Sequence, residues 1–136
     1  MRVDPYLQFH GRCDEALAFY GRAIGAQVQF VTRFGEAPGV PSPPHLEGKV
    51  LHAVVSIGES TVLASDGGSV EPQAFQSFAL ALGAKSDAEA ETLFAALADG
   101  GHVAVPMGPS PFASRFGIVI DRFGLAWNVV HQGPQP

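Results

Sequence analysis

Apolar side chains recur at helical spacing in two stretches of the chain. Cys13, Ala16, Leu17, Tyr20 and Ile24 form one stripe, and Gly25 follows where a left-handed cap closes a helix. Leu93, Phe94, Leu97 and Ala98 form the other. It is preceded by Ser86-Asp87-Ala88-Glu89, a capping-box pattern with acidic residues in the first turn, and is closed by Gly100-Gly101. Around these helices, eight runs alternate or are rich in β-branched and aromatic residues: 6–9, 27–34, 49–57, 61–65, 77–82, 102–107, 115–120 and 126–130. The pattern predicts eight strands and two helices. Gly58-Glu59-Ser60 and Asp121-Arg122-Phe123-Gly124 suit tight turns between antiparallel strands, with Asp121 fixing the second turn.

The two halves resemble each other. Phe19 and Phe94, Gly25 and Gly100, and Val28 and Val103 are each 75 residues apart, since 94 − 19, 100 − 25 and 103 − 28 agree. One strand–helix–three-strand unit therefore occurs twice. A sheet covered by a helix on one face leaves its other face open, and pairing two such faces would enclose a cleft. The expected organisation is a single domain with a first module over residues 1–66, a linker over 67–75 and a second module over 76–136. Two longer loops interrupt the order. Residues 35–48 carry four prolines and are expected to act as a flap, and residues 66–76 join the units.

Composition narrows the function classes. Charged residues are only 15% of the 136, against about 25% in ordinary soluble domains, so part of the surface is expected to meet a partner subunit. The net charge is −5 and the 8 Lys and Arg are scattered, which argues against nucleic acid as a partner. No apolar run reaches the ~20 residues needed to span a bilayer, and the N-terminal residues do not read as a signal peptide, so a cytoplasmic setting with no membrane partner is expected. The single Cys13 agrees with a reducing compartment and fits the buried stripe of the first helix.

Several short pieces, in order, resemble the PhnB-like branch of the vicinal-oxygen-chelate superfamily, which shares the glyoxalase and bleomycin-resistance fold. They are Pro5-Tyr6-Leu7-Gln8-Phe9, Asp14-Glu15-Ala16-Leu17-Ala18-Phe19-Tyr20 with Gly25, Val50-Leu51-His52-Ala53, residues 97–103, Phe116-Gly117, and Asp121-Arg122-Phe123-Gly124-Leu125-Ala126-Trp127. The resemblance implies an α+β, glyoxalase-like fold: two βαβββ modules forming curled mixed sheets, helices outside and a cleft inside, commonly in a homodimer. Metal-using members of that superfamily place His and Glu ligands on the first and last strands of each module. By the same resemblance, those slots fall here on Pro5, on Leu63 or Ala64, on Ser77 and on Asn128. None is a good ligand for a catalytic ion, so no metal and no cofactor is expected.

Strand alternation predicts what the open faces carry. Leu51, Ala53, Val55 and Ile57 are assigned to the helix face, with Val50, His52 and Val54 on the other. Phe78, Leu80 and Leu82 likewise face the helix, with Ser77, Ala79 and Ala81 opposite, and Trp127 and Val129 enter the core, leaving Asn128 on the open side. The expected ligand-binding set is Phe9, His52, Ser77, Phe112, Arg115, Phe116 and Asn128, a few polar groups in an apolar concavity. Each has a plainer alternative: His52 as a structural histidine, Asn128 as a backbone partner at the sheet's end, Arg115 as a surface strand arginine. His10, His45, His102 and His131 lie in separate segments without the spacing of a metal motif. The leading reading is a metal-free protein that binds or sequesters a small molecule. Its alternative is an enzyme acting on a small organic substrate, a lyase, isomerase or dioxygenase-like catalyst, with His52 as acid–base group or with an unrecognised metal site. A third is a bare interaction module.

Overall fold

The computed structural model describes residues 1–67 and 74–133 and divides the chain into two compact units, Met1–Gln73 and Ala74–Pro136. In the first unit β1 (Tyr6–Gln8) leads into α1 (Cys13–Ile24), followed by β2 (Gln27–Arg33), a 3-10 turn at Pro44–Leu46, β3 (Val50–Ile57) and β4 (Ser60–Ser65). The second repeats the order with β5 (Leu80–Gly83), α2 (Asp87–Ala98), β6 (His102–Ser110), β7 (Ala113–Ile120) and β8 (Ala126–His131). Sheet one has the strand order β1-β4-β3-β2 and sheet two β5-β8-β7-β6, each with one parallel pair and two antiparallel pairs. The duplicated βαβββ organisation and the α+β class are as the sequence predicts. Most of the expected linker, residues 68–73, lies outside the described residues.

Each helix buries its apolar stripe on one face of its own sheet. In unit one Cys13, Ala16, Phe19 and Tyr20 of α1 are buried together with Leu7, Phe9, Ala53, Val55, Val62 and Ala64. In unit two Ala90, Phe94 and Leu97 of α2 are buried with Val119, Leu125, Trp127 and Val129. Removing a large apolar side chain from such a core costs about 2–5 kcal/mol, so the alternation of the strands is held tightly in register. Gly117 on β7 lets the helix approach: a Cβ there would lie 2.7 Å from the ring of Phe94.

Three elements differ from expectation, each for a local reason. Ser77, expected to open a strand, has a φ of +63°, a left-handed conformation that cannot enter a sheet, and β5 starts only at Leu80. Phe78, expected on the helix face, is accordingly exposed. Strand β6 runs on to Ser110 through Pro106 and Pro109, which an edge strand tolerates because its outer side requires no ladder donor. The proline-rich loop is anchored at its base, where Phe34 N donates to Lys49 O at 2.9 Å and Gly48 N to Phe34 O at 3.2 Å, and Ser42 bonds Glu47 within it. Among the described residues no helix is long and apolar enough to cross a membrane.

The two helix starts are held differently. On α2 the Ser86 side chain accepts from Glu89 N at 3.0 Å, and the Glu89 carboxylate accepts from Lys85 N at 3.1 Å, a local cap of the kind the sequence predicts. On α1 the capping residue Arg12 makes no side-chain cap, and Asp66, after β4, does the work from a distance. Its Oδ1 accepts from Gly11 N at 2.7 Å and Cys13 N at 2.9 Å, and its Oδ2 accepts from Val50 N at 3.1 Å.

Candidate functional site

The face of sheet one turned away from α1 carries two rows of side chains set by strand register. Tyr6 is opposite Leu63, Leu63 opposite Val54, and Val54 opposite Phe30, so one apolar row crosses all four strands. The next row is polar. Gln8 pairs with Ser65 and His52 with Thr32, and because Ala64 is opposite Ala53, the following step brings Ser65 opposite His52. Partners in register share a face, which is why residues from four separated segments meet here.

His52 is the centre of this face. Its Nδ1 lies 2.7 Å from the Tyr6 hydroxyl, and its ring is 5.6 Å from the ring of Tyr6 and 6.4 Å from that of Phe30. Burial pushes the Tyr6 phenol above its ordinary value of 10.0, with a hydrogen bond to Ser65 acting the other way, so the hydroxyl keeps its proton at neutral pH. With Nδ1 engaged, Nε2 is the ring nitrogen left to face a ligand. Tyr6 is 45% exposed and Phe30 54%, so the aromatic cluster remains open to solvent despite its contacts. The Ser65 hydroxyl is already committed, donating to Leu51 O at 2.7 Å and accepting from Gly67 N at 2.8 Å. The carbonyl oxygen Oε1 of Gln8 is buried without a hydrogen-bond partner.

The corresponding face of sheet two is built in the same way with different residues. Ala81, Asn128, Ile118 and Val105 form the row equivalent to Tyr6, Leu63, Val54 and Phe30, and Gly83, Val130, Phe116 and Gly108 form the row equivalent to the polar one. Asn128 is the single polar side chain in these eight positions. Phe112 sits at the β6–β7 turn, 62% exposed, with its ring 5.0 Å from Phe116 in an edge-on contact.

Of the residues singled out from sequence, His52 and Asn128 occupy open faces as alternation predicts, and Phe116 shares the open face of sheet two. Three do not. Phe9 is buried on the helix side with its ring 6.1 Å from Tyr20, because it alternates in step with Leu7 and not with Tyr6. Ser77 is exposed in the segment before β5. Arg115 turns to α2, where its Nε bonds Glu91 at 3.0 Å and its Nη1 lies 3.5 Å from Asp87, so its donors serve the helix. Tyr6, Gln8 and Thr32 were not singled out. The signal for the first two was the strict alternation of apolar Leu7 and Phe9, which assigns their neighbours to the other face.

Two polar constellations outside these faces are structural in form. Asp87, at the start of α2, accepts from Ser114 Oγ at 2.6 Å and lies 2.9 Å from His131 Nδ1. Ser114 and Asp87 thus address the same ring nitrogen, not opposite sides of the ring as a nucleophile relay needs. The Ser114 hydrogen bond, followed by His131, holds the Asp87 carboxyl below its ordinary value. Asp121 ties its turn, accepting from Phe123 N and Leu125 N through Oδ1 and from Trp127 Nε1 through Oδ2. Burial, together with Asp66, pushes the Cys13 thiol up to about 12, which makes it inert as a nucleophile.

The donor set does not fit a divalent cation. Of the slots expected from sequence, Pro5 O accepts from Leu63 N at 2.9 Å beside β4, Ser77 lies outside β5, and Asn128 pairs with Ala81; none of the slots, Leu63 and Ala64 included, is a carboxylate, imidazole or thiolate. No group of three or more His, Cys, Asp or Glu side chains among the described residues could hold a metal ion.

Comparison with known proteins follows the same lines. A family model described as 3-demethylubiquinone-9 3-methyltransferase matches residues 1–130. Protein YjdN of Escherichia coli is 32% identical, covering 98% of this chain and 99% of its own. The crystal structure of protein PA1353 from Pseudomonas aeruginosa is 37% identical with a TM-score of 0.86, covering 97% and 98% of the two chains. A putative 3-demethylubiquinone-9 3-methyltransferase, PhnB protein, from Bacillus cereus is 25% identical with a TM-score of 0.80, covering 96% and 99%. At the level of fold alone, the chain is also similar to a glyoxalase-related enzyme from Fulvimarina pelagi, with a TM-score of 0.64.

Proposed function

The chain belongs to the 3-demethylubiquinone-9 3-methyltransferase family, and from the open face of sheet one we propose that it is a metal-free protein that binds or sequesters a small organic molecule. The methyl transfer named in the family's description forms no part of this reading. The observation that carries it is the pairing of an exposed apolar row with a polar row centred on His52. Apolar area supplies most of the free energy of capture, about 25 cal/mol per Å² removed from water, and a few fixed polar groups set orientation. The apolar face of sheet two, with Phe116 and Asn128, supports the same reading as a second contact surface for organic ligands. Amide chemical shifts, followed while small aromatic compounds are titrated, test the proposal. Shifts centred on Tyr6, Phe30, His52 and Val54 are the expected result. Tight stoichiometric binding of Mn, Ni or Zn by calorimetry would overturn it.

The Tyr6–His52 hydrogen bond also favours a second reading, an enzyme in which His52 moves a proton on a small substrate. The phenol can donate to Nδ1 or accept from it, so the contact holds the ring in place and leaves Nε2 as the acid or base. Conversion of a bound compound over hours, abolished by His52→Gln but not by Asn128→Leu, would select this reading over simple binding.

The low charge content and the exposed Val28 and Val31 on β2 and Val103 and Val105 on β6 support a homodimer. Sedimentation equilibrium at micromolar concentration is expected to give twice the 14.2 kDa chain mass, and a monomer would refute it.

A further inference from the structure

Strand β2 keeps an unbroken register with β3 only at its centre. Phe30 is opposite Val54, Val31 opposite Ala53 and Thr32 opposite His52, with one register shift between Val28 and Phe30 and another between Thr32 and Arg33. Irregularities of this kind re-aim the side chains beside them and are over-represented next to active sites. Between the two shifts, four side chains form a tile on the open face of sheet one. Phe30 and Val54 are its apolar pair, and about 7 Å further along the strands Thr32 and His52 are its polar pair. Both polar members are half-buried and have hydrogen-bonding capacity to spare. His52 engages Tyr6 through Nδ1, which leaves Nε2, and the Thr32 hydroxyl has no hydrogen-bond partner among the described residues. Phe30, 54% exposed, stands beside them with its ring 6.4 Å from that of His52. The tile itself is uncharged. Arg33, the next residue, sends its guanidinium to Asp14 of α1, bonded at 2.8 and 3.0 Å on the helix side, and no Lys, Arg, Asp or Glu stands in the two rows of the open face.

Resting on the binding reading above, we propose that this tile recognises the uncharged hydroxyl of an aromatic compound. The hydroxyl sits between Thr32 Oγ1 and His52 Nε2, and the ring lies along Phe30 and Val54. A threonine hydroxyl donates or accepts, and Nε2 does either according to which way the Tyr6 hydrogen bond runs. A ligand hydroxyl also does both, so it completes the pair in either arrangement, whereas an ether oxygen can only accept. A fused two-ring skeleton reaches across the ~7 Å between the polar and apolar pairs. A carboxylate is disfavoured, because these rows offer no cation to receive it and the chain carries a net charge of −5.

A matched series tests it: 2-naphthol, 2-methoxynaphthalene, naphthalene and 2-naphthoate, titrated into the full chain at neutral pH with amide shifts of sheet one as readout. The naphthol is expected to bind about tenfold more tightly than naphthalene or the methyl ether, with the carboxylate weakest. In Thr32→Val, which keeps a β-branched side chain on an edge strand and removes the hydroxyl, that preference should fall to within about threefold while naphthalene affinity is unchanged. Equal binding of naphthol and naphthalene, equal binding of naphthol and its methyl ether, tightest binding of the carboxylate, or an undiminished preference in Thr32→Val would each overturn the inference while leaving a ligand-binding face intact. Absence of any binding to sheet one would overturn both it and the broader proposal. The Thr32→Val chain is checked for folding by the dispersion of its amide spectrum. His52→Phe, which keeps a ring and removes both nitrogens, should lose the naphthol preference in the same way and provides a second variant should Thr32→Val fail to fold.

Discussion

The two units share strand order, helix placement and register, and differ in how they are fastened and in what they expose. Unit two caps its helix with Ser86, adjacent in sequence, and reinforces the start through Asp87, Ser114 and His131. Unit one has no such local cap and relies on the buried carboxylate of Asp66, which gathers three amides from two segments. On the open faces the contrast reverses: unit one presents Tyr6, Gln8 and His52, and unit two presents small and apolar residues around Asn128. A duplicated framework has kept its geometry while its chemistry diverged, and most of the polar side chains of the open faces lie in the unit whose helix depends on a distant cap.

Breaking the fastening of unit one should produce the largest effect. Asp66→Ala leaves Gly11 N, Cys13 N and Val50 N without their acceptor, at about 1 kcal/mol or more each, so urea unfolding should show a loss of about 3 kcal/mol or more. The matching Ser86→Ala change on α2 should cost about 1 kcal/mol. Equal losses would erase the distinction between a distant and a local cap.

The open faces give the next test. His52→Leu should weaken binding of a small aromatic probe about tenfold, whereas Asn128→Leu should change it less than about threefold. Equal sensitivity would mean that recognition is shared evenly between the units. Smaller again is the loss expected from Trp127→Phe, about 1 kcal/mol in urea unfolding, since the Asp121 carboxylate keeps its two backbone donors when the indole N–H is removed.

Acid should give the smallest effects, and their salt dependence separates the units. Asp14 is held below its ordinary 3.8 by Arg33, bonded at 2.8 and 3.0 Å, and Asp87 is held low chiefly by Ser114. A carboxyl lowered in the folded state contributes stability above its ordinary value that is lost as pH falls through the folded one. Both sites are solvent-accessible, so the loss below about pH 4 should be under about 1 kcal/mol for Asp14. Raising salt should diminish the Asp14–Arg33 contribution, seen by comparing wild type with Asp14→Asn, more than the part of the Asp87 contribution that comes from the neutral Ser114 hydroxyl.

Much of the architecture was readable along the chain. Periods of two and of about 3.6 located all eight strands and both helices, and the 75-residue interval gave the duplication, because those signals arise between residues near one another in sequence or repeated at fixed spacing. The open face was partly readable: alternation placed His52 and Asn128, and on β1 the same rule separates Tyr6 and Gln8 from Leu7 and Phe9. Arg115 could not be assigned from its strand, since the acids that capture it sit on α2, 24 and 28 residues earlier.

Sequence by itself determined the elements, their repetition and the cap of α2, all interactions closed within a few residues. Only the tertiary structure decided that Asp66 caps α1 from 53 residues away, that Tyr6 meets His52 across 46, and that one Gln8 oxygen is buried without a partner. Those contacts are fixed by the register in which distant strands pair, and register is set by the burial of a whole sheet face against a helix, to which no single local segment holds the key.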